Sequence, residues 1–362
     1  MSTYYSVDAL SRSTHAILVS MGFSNEHATT CTTVLLSAEK RGFATHGIAR
    51  VGEYHRLWKA GRINTQPKLK IVRETPSTAV VDGDRTMGMV PAHFSMELAI
   101  EKAKSVGTGW VSTRNSSNFG IAGYYAMLAL EHDMIGITMT NATPLVAPTF
   151  SAKAMLGTNP IAVAIPTLSH PPFVADFATA PINRGKFTMA AKKGKKLGFG
   201  FAQDSEGNPS DDPTILERGG AILPLGMDRE HGSHKGYCLA SIVDIFSAVF
   251  SGANYGPFVP PMVPYLNPLD QKVGEGVGHF FGAMRIDAFE EVLVFKQRMD
   301  HWWKTFKNAK PIEGKQVFIP GEIEFENEKR ALIEGITLVP HVEKELRTLL
   351  DEQNIALVLE AI

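Results

Sequence analysis

The stretch Ile135-Gly-Ile-Thr-Met-Thr-Asn-Ala-Thr-Pro-Leu-Val-Ala-Pro148, with its sequel Gly157-Thr-Asn-Pro-Ile-Ala-Val-Ala-Ile-Pro166, decides how this chain is read. Its two ends are short apolar runs without a polar face, the pattern of strands covered on both sides. Between them Thr140, Asn141, Thr143, Thr158 and Asn159 alternate with Pro144, Pro148, Gly157 and Pro160. Small hydroxyls and amides on a stiffened loop offer donors and acceptors at fixed positions with little bulk. That suits a cleft for a flat polar ligand, and it equally suits a well-turned crossover loop.

The strands to either side extend this reading. Lys68 to Glu74, Thr78 to Asp82, Trp110 to Thr113 and Phe173 to Phe177 read as strands, and Pro91 to Val106, stopped by Gly107, reads as a helix between two of them. Alternating strands and helices in a chain of 362 residues, with 32 glycines and 21 prolines, predict an α/β protein of more than one subdomain. A net charge of -1 gives no general pull toward nucleic acid or an anionic membrane. Cys31 and Cys238 both lie in apolar helical patterns, which supports neither a disulfide framework nor a thiolate metal site. The N-terminal residues lack a signal core and no apolar run reaches membrane-spanning length, so the expected location is the cytoplasm.

Toward the N-terminus, Ser6 caps a predicted helix ending at Met21, and Ser24 or Asn25 opens a second ending at Arg41 and Gly42. A third is predicted from Ala44 to Gly61, and its four-residue spacing puts His46, Arg50 and Tyr54 on one face. An imidazole, a fixed cation and a phenol pointing the same way can recognise and protonate a carboxylate-bearing substrate; each alone reads as a surface or structural residue. The polar run Arg114-Asn-Ser-Ser-Asn-Phe-Gly120 opens a helix predicted from Ile121 to His132, a geometry in which amides face an anion and also that of an ordinary connection.

Toward the C-terminus, Lys192-Lys-Gly-Lys-Lys196 reads as a solvated basic loop, and Lys235, at the mouth of an apolar, buried helix from Tyr237 to Ser251, as a partner for a phosphate or carboxylate. His231 and His234 lack the further ligands of a zinc pattern, and no metal is expected. Gly276-Val-Gly-His-Phe-Phe-Gly282 imitates a dinucleotide fingerprint but leads into a strand-like run instead of a helix, and is rejected. Asp287 is expected to cap a helix from Phe289 to Lys307, and further helices span Glu324 to Glu334 and Val342 to Asn354. Helices at both chain ends then form one subdomain, 1–75 with 312–362, beside a cofactor-binding subdomain, 76–125 with 183–311, and a small insert, 126–182.

Several separated motifs in order carry a resemblance over nearly the whole chain: Thr45-His46-Gly47 with Arg50 and Tyr54, Arg114 to Gly123, Met139-Thr-Asn141, Gly157-Thr-Asn-Pro160, the strand end at Asp176, His234-Lys-Gly236 and Ile319-Pro-Gly-Glu322. With them the chain resembles the malate/L-lactate dehydrogenase family, which also holds L-sulfolactate, ureidoglycolate and 2,3-diketogulonate oxidoreductases and a cyclic imine reductase. The resemblance implies a mixed central sheet flanked by helices, a non-Rossmann nicotinamide-binding fold of the L-sulfolactate dehydrogenase type, and a homodimer with sites near the subunit interface. It implies NAD or NADP as cofactor and a 2-hydroxy acid as substrate, malate or L-lactate before the sulfonated, sugar-derived or cyclic imine acids. His46 takes the acid/base role, Arg50 the carboxylate, with Tyr54 and Thr158 beside it. Cofactor contacts fall on Asn141, Asp176, Phe177, Ala178, His234, Lys235, Gly321, Glu322 and Ile323. One departure stands out: where most relatives carry a histidine that in some is the acid/base, this chain has Asn118, which can orient a carbonyl or hydroxyl but cannot shuttle a proton near neutral pH. A ligand-binding homologue with reduced turnover is the reading that departure would favour.

Overall fold

Two serines set the first helices of the computed structural model, which describes residues 3–262, 269–356 and 359. After a two-residue strand β1 (Tyr4–Tyr5), Ser6 accepts the Ala9 N–H at 3.0 Å and starts α1 (Val7–Ser20), and Ser24 accepts the His27 N–H at 3.2 Å to start α2 (Asn25–Lys40). The third expected helix is interrupted. Residues Ala44–His46 and Ile48–Arg50 form two 3-10 turns that meet at Gly47 (φ −97°, ψ −136°), and only then does α3 (Val51–Lys59) begin.

Strands β2 (Lys70–Glu74) and β3 (Thr78–Asp82) lead to α4 (Met89–Val106), β4 (Thr108–Ser116), α5 (Ala122–Leu128) and β5 (Met134–Thr140). Next come β6 (Ile161–Ile165), β7 (Phe173–Phe177), α6 (Arg184–Lys192), and the short strands β8 (Ala202–Gln203), β9 (Pro209–Ser210) and β10 (Ala221–Ile222). The chain closes with α7 (Ser233–Asp244), which runs into a π-helical turn at Ile245–Val249, then β11 (Val277–Arg285), α8 (Val292–Lys307), α9 (Glu322–Glu334), β12 (Ile336–Thr337) and α10 (Pro340–Glu352).

One mixed seven-stranded sheet, ordered β2-β3-β4-β11-β5-β6-β7, carries the molecule; only β3 and β4 run parallel. The sheet crosses the expected subdomain boundaries, because β5, β6 and β7 are its strands and not those of a separate insert. Helices α4 and α5 lie tight on it. A Cβ on Gly109 would come within 2.0 Å of the Ala99 carbonyl, and one on Gly136 within 2.0 Å of the Ala126 carbonyl, so glycine alone permits these approaches. The two ends of the chain meet: β1 pairs with β12, and one core runs from Leu10, Ile17 and Leu35 to Leu346 and Leu350 and on under the sheet at Val81 and Phe281. A second core, with Val146, Leu156, Phe187 and Ile222, gathers the excursion between β5 and β6 against α6 and β10.

Three local expectations differ. The expected buried helix starts at Ser233 and leaves Tyr237, Leu239, Ile242, Ile245, Val249 and Phe250 exposed, so apolar residues circle it where only one side is covered. Cys238 on that helix is exposed, whereas Cys31 is buried. Asp287 caps nothing: its carboxylate pairs with Arg285, and α8 begins at Val292.

Candidate active site

The broken turn after α2 delivers the first reactive group. His46 faces a cavity with its Nδ1 3.0 Å from the Thr45 hydroxyl, and among the described residues its Nε2 has no partner. Burial first, and the Arg50 cation second, lower the imidazole to about 4. It is therefore neutral around pH 7 and able to accept a proton. Arg50, on the second turn, is anchored by Nε to the Thr45 carbonyl at 2.7 Å and by Nη1 to Glu53 at 2.5 Å. Its Nη2 has no partner among the described residues. The expected single helical face does not exist, yet the two turns bring His46, Arg50 and Tyr54 to the same cavity wall.

Tyr54 is fully buried and donates to the Asn118 Oδ1 at 2.8 Å, and the Gly120 N–H donates to the same oxygen at 3.1 Å. Two donors on Oδ1 settle the orientation of the amide. The Asn118 NH2 group, unpartnered among the described residues, then lies on the side away from them with two donors for the cavity that it lines. Beneath this loop His279 is wholly enclosed. Its Nδ1 lies 2.7 Å from the Thr140 hydroxyl and its Nε2 2.7 Å from the Ser116 hydroxyl, and its ring stacks on Phe119 at 4.7 Å. Burial holds it neutral, lowering it to about 3. The rejected glycine run thus supplies a strut under Asn118 and no phosphate loop.

The cavity encloses about 1160 Å³, above the roughly 300–1,000 Å³ of sites for drug-sized ligands. The central loop forms one wall. Thr158 lines it with a hydroxyl unpartnered among the described residues. Asn141 reaches the wall with both amide donors already engaged, to Asp244 at 3.1 Å and the Asn254 carbonyl at 2.8 Å, while its Oδ1 accepts the Gly278 N–H. Asn159 likewise ties the loop to α7 through the Ala240 carbonyl. Arg62, Arg85 and Lys272 line the cavity and escaped the sequence reading. Arg85 stands directly behind the Asp82-Gly83-Asp84 turn with a left-handed φ of 60°, and Arg62 directly behind the helix-stopping Gly61. Those punctuation marks were the available signals.

The remaining predicted cofactor residues lie outside this lining. Asp176, at the end of edge strand β7, accepts the Gly123 N–H through Oδ2 at 2.7 Å, so the α5 N-terminus holds a carboxylate of its own chain. Burial lifts this carboxyl to about 6 against the pull of that amide and of Arg41. Gly321 abuts β7, where the Val174 N–H donates to the Pro320 carbonyl at 3.0 Å. Glu322 pairs with Lys307 and accepts the Ile319 N–H at 3.0 Å, while Phe177 and Ile323 are exposed. At the start of α7, Gly236 packs on Leu225, whose N–H donates to the Thr179 carbonyl at 3.1 Å, which joins the His234 and Lys235 segment to the chain just after Ala178. His234 Nδ1 faces Arg229 at 3.0 Å and His231 pairs with Asp228, so the two histidines do not converge. The second group therefore gathers around the end of β7, where the Thr179 N–H and hydroxyl, one residue past Ala178, both donate to the Thr158 carbonyl, at 2.9 and 3.1 Å.

A neutral imidazole, an anchored guanidinium and a fixed amide around a roomy cavity define a site for moving a proton on an anionic small molecule. The chain belongs to the malate/L-lactate dehydrogenase family, whose pattern it matches over residues 5–347. It is 39% identical to a malate dehydrogenase of Pyrococcus horikoshii over 332 residues, 91% of this chain and 90% of that one. It is 40% identical to an L-sulfolactate dehydrogenase of Methanocaldococcus jannaschii over 337 residues, 93% of each. The solved structure of an Entamoeba histolytica malate dehydrogenase superposes with a TM-score of 0.92 at 34% identity, covering 99% of both chains. The chain is thus an NAD(P)-dependent 2-hydroxy acid dehydrogenase with the mixed sheet of that family. Among the described residues no helix is long and apolar enough to cross a membrane.

Proposed function

We propose that the chain oxidises a dianionic 2-hydroxy acid of the malate type and reduces the matching 2-oxo acid. The observation that carries this reading is the cation excess of the cavity: Arg50, Arg62, Arg85, Arg184, Lys192 and Lys272 line it against Glu217, Glu275 and the Glu53 carboxylate paired with Arg50. A second anionic group on the substrate gains from that field, where lactate offers one.

Arg50, braced by Glu53 and Thr45, presents Nη2 to the carboxylate and so sets which face of C2 is turned outward. The Asn118 NH2 donates to the substrate oxygen on C2, as a hydroxyl acceptor in one direction and as a carbonyl in the other. His46, neutral at pH 7, takes the hydroxyl proton during oxidation and returns it during reduction. Asn118 does not replace the proton carrier, and one imidazole is sufficient for one proton. A bound nicotinamide supplies the hydride acceptor. Residues fit for holding such a cofactor are Asp176, whose Oδ1 has no hydrogen bond among the described residues, the exposed Phe177, Ala178, and Lys235 beside His234, with the Gly321 to Ile323 loop along β7.

The exposed apolar face from Tyr237 to Phe250 supports a homodimer, since single surface apolar residues are ordinary but a contiguous helical face marks an interface. Ile245→Asp should turn a dimer into a monomer in light scattering; an unchanged mass would remove α7 from the interface.

The deciding measurement follows absorbance of reduced nicotinamide with NAD or NADP against L-malate, sulfolactate and L-lactate. Turnover of the dianions well above lactate supports the reading. Lactate as the best substrate would overturn the second-anion argument, and no turnover with measurable cofactor binding would favour a silenced homologue.

A further inference from the structure

Glu39 lies in the last turn of α2 and is only 8% exposed. Its Oε1 accepts the Ile48 N–H at 2.8 Å, and the Ala49 N–H bonds to the same carboxylate. The chain passes directly over it at Gly47, where a Cβ would come within 2.6 Å of Glu39 Cγ and Oε1. The carboxylate therefore fills the place of a residue-47 side chain, wedged between the turn that bears His46 and the turn that bears Arg50.

No ion pair explains its burial among the described residues. Its helix neighbours Lys40 and Arg41 both pair with Glu328 on α9, at 2.7 and 3.3 Å, and Arg50 on the turn above is held by Glu53 and the Thr45 carbonyl. The His46 imidazole on that turn takes its own shift from burial and from Arg50. What opposes the desolvation of Glu39 is the pair of amides opening the second turn, and burial still lifts it to about 7. An anion retained at such a disadvantage, in contact with the backbone that links the proton carrier to the carboxylate holder, is where a positioning residue belongs.

We propose that Glu39 is a positioning residue for this reaction, its carboxylate fixing the Gly47–Ile48 peptide and with it the offset between the His46 imidazole and the Arg50 guanidinium. The inference rests on the roles given above to those two side chains. In its ionised form the carboxylate accepts both amides. Protonation turns one oxygen into a donor facing an N–H, and the turn slackens. A misplacement of about 1 Å between reacting groups is enough for a roughly 10²-fold loss. The acidic limb of this slackening lies near pH 7, well apart from protonation of His46 itself near 4.

Glu39→Gln tests it, because the amide keeps shape and one acceptor but neither the charge nor the titration. Oxidation is followed from pH 5 to 9 with the acid and cofactor that the wild-type protein turns over. The expected result is a fall in kcat of about 10- to 100-fold at pH 8, an unchanged KM for the cofactor, and loss of the limb near pH 7. Wild-type kcat in the variant, or a neutral limb that survives the substitution, overturns the proposal. Should the variant not fold, the amide resonances of Ile48 and Ala49 in the wild-type protein report directly: they should shift together with a midpoint near 7, and positions flat from pH 5 to 9 overturn it. That titration needs no substrate, so it stands apart from a failure of the function proposed above.

Discussion

The cavity wall at α3 and the end of β7 were both expected to serve one reaction, and they are built in opposite ways. At the wall, side chains are held by neighbouring side chains and backbone so that, among the described residues, selected atoms are left over: the Tyr54 hydroxyl and the Gly120 N–H bind the Asn118 oxygen and leave its NH2, while the Thr45 carbonyl and Glu53 bind Arg50 and leave Nη2. At the end of β7 carboxylates are tied down within the chain, Glu322 through both oxygens by Lys307 and the Ile319 amide, and Asp176 through Oδ2 by the Gly123 amide. Surplus donors mark where a ligand is read, whereas internally satisfied carboxylates mark where backbone is fixed. On the function proposed above, the first region carries the chemistry and the second presents a strand end and loops to the cofactor.

The sharpest break would come from His46→Ala. Loss of the imidazole Nε2 that is unpartnered among the described residues should lower kcat by about 10²- to 10⁴-fold while thermal unfolding and cofactor binding stay unchanged. Near wild-type turnover would move the proton to another group. Asp176→Asn probes the other region. Asparagine still accepts the Gly123 N–H but removes the charge offered by Oδ1, so the KM for cofactor should rise about tenfold with kcat retained, the size of one charge-assisted hydrogen bond. The same variant has a pH signature. A carboxyl raised to about 6 binds more protons in the folded than in the unfolded state between about 4 and 6, so it lowers stability as pH rises through that window. Asp176→Asn removes that slope and should unfold at least as late as wild type at pH 7. If KM were unmoved while the pH slope vanished, Asp176 would be a strut alone.

What the sequence made legible was local. Ser6 and Ser24 cap the helices where their oxygens reach the third amide onward, Gly107 ends α4 with a φ of 92°, and the two apolar runs of the central stretch are adjacent strands. The break at Gly47 was not legible, because its cause is the Glu39 carboxylate one element earlier, and helical spacing carries no record of it. The same limit hid Arg62 and Arg85, which reach the cavity from two turns, and His279, read only as part of a failed glycine motif. Apolar periodicity also misjudged α7, since a run of Leu, Ile and Phe states that a surface avoids water without stating which chain covers it.

The smallest expected effect is the most specific to the surplus-donor argument. Tyr54→Phe deletes the hydroxyl that donates to Asn118 at 2.8 Å and leaves the ring and its packing in place. The Gly120 N–H then holds the Asn118 oxygen alone, so the amide can turn and offer its oxygen to the cavity in place of its NH2. One neutral hydrogen bond contributes about 0.5–1.5 kcal/mol, which corresponds to a loss of roughly 2- to 13-fold in kcat/KM for the 2-hydroxy acid. Because the phenol does not touch the residues at the end of β7 proposed to hold the cofactor, the KM for cofactor should not change. The loss should also vanish in an Asn118→Ala background, where there is no amide left to orient, and an undiminished effect of Tyr54→Phe there would show that the hydroxyl acts by some route other than Asn118.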